Sequence, residues 1–75
     1  MTLQNFITLF AEQFDDTEMD LFTPQTNFKQ LDEWSSLVAL SVISMVDEEF
    51  DKQLTGAELR NANTIEELYR IIESK

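Results

Sequence analysis

The chain has 75 residues, with 15 Asp or Glu against five Lys or Arg and a formal charge of −10. Such a surface repels nucleic acid and anionic lipid and is complemented by a basic protein partner. It holds no His and no Cys, which excludes a Ser-His-Asp triad, a thiolate nucleophile, disulfides and cysteine-zinc sites.

The length suits one domain over residues 1–75, with a core near the lower limit for independent stability. Apolar residues make up 43% of the chain, enough for a globular fold. One Gly and one Pro favour helices with few tight turns. No run of about 18 apolar residues occurs, and Met1-Thr2-Leu3 lacks the basic start of a signal peptide. A cytoplasmic monomer without membrane insertion is expected. The expected fold is all-α: a small four-helix bundle, three main helices plus one short helix, with a long loop between the first and second helices.

The first helix is expected over Thr2 to Asp15. Leu3, Phe6, Ile7, Phe10 and Phe14 recur at helical spacing, and Thr2 is placed to cap the N-terminus. This stripe reads as core rather than as ligand contacts. Asp16 to Ser35 follows as a connection containing Pro24 and the turn formers Thr23, Thr26 and Asn27. A structureless connection of this length is unusual in so small a domain, and Leu21, Phe22, Phe28, Leu31 and Trp34 are available to anchor it. Asp15, Asp16, Glu18 and Asp20 invite a calcium reading. An EF-hand loop starting at Asp16 would need Gly at 21 and Glu at 27, where the chain has Leu21 and Asn27. A solvated acidic loop fits better, and no metal site is assigned.

Ser36 to Phe50 is the second helix. At about 100° per residue, Ala39, Leu40, Val42, Ile43, Val46 and Phe50 fall on one broad side, expected to be core. Leu37, Val38, Ser41, Ser44, Met45 and Glu48 fall on the other. Three apolar side chains on an outward face beside Ser36 suggest a docking patch. Ser36 itself stands at the helix start, where a side-chain oxygen caps the first turn and the helix dipole suits a phosphate group.

Thr55-Gly56-Ala57-Glu58 has capping-box spacing and opens a short helix through Arg60 or Asn61. Thr64-Ile65-Glu66-Glu67 repeats the spacing and opens a last helix through Glu73, with Ile65, Leu68, Ile71 and Ile72 inward and Tyr69 at the margin. A single Gly forbids a glycine-rich phosphate loop. The many carboxylates lie mostly on polar faces, where a solvated surface explains them, so no catalytic residue is assigned.

Asp32-Glu33-Trp34-Ser35-Ser36-Leu37 resembles the serine-leucine motif of acyl and peptidyl carrier proteins. The resemblance covers roughly residues 3 to 73. It takes in the first helix, the long loop, the helix end Asp47-Glu48-Glu49-Phe50 and the last helix opening at Thr64-Ile65. It implies a non-catalytic carrier whose 4'-phosphopantetheine, donated by coenzyme A with Mg²⁺, is attached at Ser36. The arm's thiol would hold acyl or aminoacyl groups as thioesters, in fatty-acid or specialised polyketide or nonribosomal biosynthesis. The implied partners are a phosphopantetheinyl transferase and acyl-handling enzymes with basic docking surfaces. Leu37, Val38, Met45, Asp47 and Glu48 are the expected docking residues, with Asp32 and Glu33 completing an acidic frame. Phe28, Leu40, Ile43, Val46, Leu59, Ala62 and Leu68 are expected to surround a space that opens for an acyl chain. The short helix resembles the family's mobile third helix. Where the family usually has Asp before the serine, this chain has Ser35. That departure keeps a second reading open: an unmodified acidic helical interaction module.

Overall fold

Thr2 starts the first helix as its spacing predicts: its hydroxyl accepts a hydrogen bond from the Asn5 amide at 3.1 Å. The computed structural model describes residues 2–75 and contains helices α1 (Leu3–Ala11), α2 (Ser36–Phe50), α3 (Gly56–Asn61) and α4 (Ile65–Glu73). Single 3₁₀ turns at Met19–Leu21 and Phe28–Gln30 interrupt the connection between α1 and α2. The described residues thus form the expected all-helical bundle.

α1 stops at Ala11, short of the expected Asp15. The Gln13 and Phe14 amides bond back three residues, to the Phe10 and Ala11 carbonyls, which tightens the last turn and still leaves Phe14 buried. The next two amides are taken by another segment altogether. The Glu33 carboxylate accepts from the Asp15 amide at 2.6 Å, the Asp16 amide at 3.0 Å and the Thr17 hydroxyl at 2.6 Å. Glu33 therefore supplies acceptors for the amides that follow the last turn of α1.

The long connection is held down rather than structureless. Phe10 has no exposed surface, and its ring centroid lies 5.5 Å from those of Phe14 and Phe28 and 6.2 Å from that of Phe22. Trp34 meets Phe28 edge-on at 4.9 Å. Aromatic pairs in such geometries contribute about 0.5–1.5 kcal/mol each beyond their buried area. Of the expected anchors, Phe22 and Phe28 are buried and Leu31 and Trp34 partly so, whereas Leu21 is 53% exposed. The connection also caps another helix: the Thr26 and Pro24 carbonyls accept from the first-turn amides of α4, Ile65 and Glu66, at 3.2 and 3.0 Å.

α2 is rotated from the expected orientation. Its inward line is Val38, Val42, Met45 and Val46, at the i, i+4, i+7 and i+8 positions that share a helix face; Val42 and Val46 have no exposed surface. Met45, expected outward, is only 5% exposed, and Leu40, expected inward, is 61% exposed. The helix carries apolar residues on most of its circumference, so periodicity alone selects no unique face. Contact with α1 on one side and α3 on the other decides it.

Both halves of the Thr55–Glu58 capping box are present, and they hold α3 despite its single buried residue, Leu59. At α4 the box is shifted. Thr64 accepts from the Glu67 amide at 3.1 Å, but the Glu67 carboxylate reaches the Asn63 amide instead of that of Thr64. Ile65, Leu68 and Ile72 close the core, with Tyr69 stacked obliquely 5.8 Å from Phe6. Among the described residues no helix is long and apolar enough to cross a membrane.

Two predictions follow from the ends of α1 and α2. Asp51 terminates α2 in the left-handed region, φ 54° and ψ 42°, where a side chain is strained and a carboxylate meets the negative end of the helix dipole. Asp51→Gly should raise stability by about 0.5–1 kcal/mol after the extra unfolded-state entropy is deducted. A thermal melt in which the midpoint fails to rise would refute this account of the helix end. For Glu33, the Thr17 hydroxyl first, and then the Asp15 amide, hold the carboxyl below its ordinary value of 4.5. A carboxyl lowered on folding contributes stability that is present above the unfolded value and lost as pH falls through the folded one. Glu33→Gln cannot titrate, so its melting midpoint should decline less than that of the parent chain on acidification from neutrality through the region below 4.5. Parallel pH profiles for the two would show that the clasp contributes nothing.

Candidate functional site

Ser35, not Ser36, caps α2. Its backbone is extended, at φ −155° and ψ 172°, and its hydroxyl accepts from the Val38 amide at 3.3 Å. This corrects the expectation that Ser36 takes the capping position. Ser36 is the first helical residue, exposed, and its hydroxyl makes no hydrogen bond among the described residues. Three features hold this corner in place: the Glu33 clasp, the Trp34 ring on Phe28 and the Ser35 cap. A free hydroxyl is thus presented beside the unpaired amides at the start of a 15-residue helix.

A groove of about 580 Å³ opens beside Ser36 between α2 and α3. Ser36, Ala39, Leu40 and Ile43 form its α2 wall, at i, i+3, i+4 and i+7, and Leu59 faces them from α3. The expected acyl lining is therefore divided. Leu40, Ile43 and Leu59 line the groove, while Phe28, Val46, Ala62 and Leu68 lie behind it in the closed core, with at most 1% exposed. Trp34 and Ala39 line it without having been expected to. The helical spacing from Ser36 was the signal that could have found Ala39. Trp34 lies next to the cap in the chain, but only its packing on Phe28 turns it to the groove.

A second groove, of about 330 Å³, runs between the end of α1 and the outer face of α2. Leu37, 75% exposed, and Leu40 rise beside it, and Met45 forms part of its lining from its buried position. Among the expected docking residues, Asp47 and Glu48 are exposed and Val38 is half-buried. Leu40, not Met45, is the apolar side chain that joins Leu37 in projecting from α2. The acidic frame also differs from expectation: Glu33 is turned to its own loop, and Glu12 and Glu49 join Glu48 at the groove. Among the described residues no three His, Cys, Asp or Glu side chains gather as metal ligands.

An exposed, unbonded hydroxyl with a largely apolar groove next to it suits a covalently attached arm. The sequence profile of the family described as "Phosphopantetheine attachment site" matches residues 4–72, from the first turn of α1 to the last turn of α4. No curated protein and no solved structure shows a significant match. With the profile spanning all four helices and the Ser35–Leu37 corner, the chain belongs to the phosphopantetheine attachment-site family, non-catalytic carriers that bear 4'-phosphopantetheine covalently and work with phosphopantetheinyl transferases and acyl-handling enzymes.

Proposed function

We propose that this protein is an acyl or aminoacyl carrier whose arm is attached at Ser36. The observation that carries this reading is the division between the two adjacent hydroxyls: that of Ser35 is committed to the helix cap, and that of Ser36 is free and exposed. The arm supplies the thiol that a chain without Cys lacks, so that cargo is held as a thioester. Leu37, Leu40, Asp47 and Glu48 present an apolar and acidic face to basic partner enzymes, with Met45 and the half-buried Val38 supporting it from below. The half-buried Ser41 and exposed Ser44 put neutral hydroxyls in the middle of that face, where carriers of this family often have acids. This favours a specialised polyketide or nonribosomal pathway over fatty-acid synthesis.

Incubation with coenzyme A, Mg²⁺ and a promiscuous phosphopantetheinyl transferase, followed by intact mass measurement, tests the attachment point. Parent chain and Ser35→Ala should gain one phosphopantetheine and Ser36→Ala none. Stability should move the opposite way. Ser35→Ala loses the cap and about 0.5–2 kcal/mol, whereas Ser36→Ala alters an exposed unbonded side chain and should stay within about 0.5 kcal/mol of the parent. Loading that survives Ser36→Ala but not Ser35→Ala would reassign the site. A parent chain that several transferases leave unloaded would favour the unmodified interaction module.

The docking face makes a separate prediction. Replacing both Asp47 and Glu48 by Lys should slow association with the transferase, as should rising ionic strength, while leaving the fold as stable or more so at a charge of −10. Loading rates indifferent to both changes would place recognition on the apolar side chains alone.

A further inference from the structure

Five basic residues stand against 15 acidic ones in this chain, yet the groove beside Ser36 contains two of the bases, Lys29 and Arg60, and no acid. Neither base is neutralised by a carboxylate: among the described residues the ion pairs are Arg70–Glu66 and Lys75–Glu58. Lys29 Nζ donates to the Arg60 carbonyl at 2.7 Å, which draws the two basic segments together and leaves the ammonium with further protons to donate. The Arg60 guanidinium lies over Gly56, where a Cβ would come within 3.5 Å of its Nη1 atom. Arg60 is exposed and lines the groove. A chain this acidic has every opportunity to pair these cations internally, yet it leaves both without a carboxylate partner.

We propose that Lys29 and Arg60 form a seat for the phosphodiester of the arm on Ser36, which lays the arm along the α2–α3 groove instead of leaving it free in solvent. This rests on Ser36 being the attachment point. A phosphodiester on Ser36 would carry its negative charge at the groove that the two cations also line. Guanidinium and ammonium groups are suited to phosphate oxygens. Beyond the cations, Trp34, Ile43 and Leu59 offer apolar surface to the branched, methylated part of the arm. Because Arg60 is exposed, the pairing is screened by salt, and the arm can be released to a partner.

Trp34 is the chain's single tryptophan and lines this groove, so its emission reports arm docking independently of any activity. The experiment converts apo to holo protein with coenzyme A, Mg²⁺ and a transferase, verifies complete loading by intact mass, and records Trp34 emission and the Lys29 and Arg60 amide shifts. At low salt the parent chain should show a change in both on loading, largely reversed at about 0.5 M salt, where the screening length is only a few ångströms. Arg60→Gln leaves the backbone tie to Lys29 intact and is the clean variant. It should load fully yet lose at least half of the spectroscopic change, and Lys29→Gln/Arg60→Gln should lose nearly all of it. Full loading with no change in the parent chain, or with an equal change in the double variant, would overturn the seat while leaving the Ser36 assignment standing. A change seen only when the thioester carries a second carboxylate, and not in the plain holo form, would also overturn it by assigning the cations to cargo. Failure to load at all would remove the Ser36 assignment and the seat with it.

Discussion

Phe10 is the side chain on which the rest of this small structure depends. A bundle of this size has three substantial helices and one short one, and the connection from Asp16 to Ser35 must be ordered by something other than backbone regularity. Phe10 supplies a fully buried ring against which Phe14, Phe22, Phe28 and Trp34 gather, directly or through one another. The polar part of the connection then finds its own partners: Glu33 on the amides after α1, and the Pro24 and Thr26 carbonyls on the amides that open α4. Loop and helices thereby satisfy one another's unpaired groups, which is how a chain of 75 residues avoids leaving helix ends bare.

The same arrangement produces the site. A carrier needs an attachment point that is rigidly placed and chemically free, two demands that a single serine at a helix cap would meet poorly. Here neighbouring residues divide them: Ser35 bonds the helix and Ser36 does not. The start of α2 is fixed from behind by Trp34 and from the side by Glu33, so the hydroxyl is exposed without being loosely held.

Charge is distributed with a comparable division. Between α2 and the end of α1, Glu12, Glu48 and Glu49 border a groove beside Leu37 and Leu40. The groove on the other flank of Ser36 reverses the sign. One side of the serine is thus suited to basic enzymes, and the other to an anion belonging to the protein itself.

Most of the architecture was legible in the residues. Capping chemistry and apolar spacing located the start of α1, all of α2, α3 with its capping box, and α4, because these depend on side chains within a few positions of one another. Composition excluded nucleophilic and thiol chemistry for the same local reason: the necessary side chains are absent. Three things were decided only by tertiary structure. The amides that follow α1, those of Asp15 and Asp16, found their acceptor in Glu33, more than a dozen residues downstream. The facing of α2, which buries Met45 and exposes Leu40, was set by two packing partners, since a helix apolar on most sides has no preferred face of its own. The pairing of Lys29 with the end of α3 joins residues 31 positions apart. Local sequence fixes which elements can form; which faces they turn to each other, and which distant groups then meet, is settled by burial and by the competition for unpaired backbone groups.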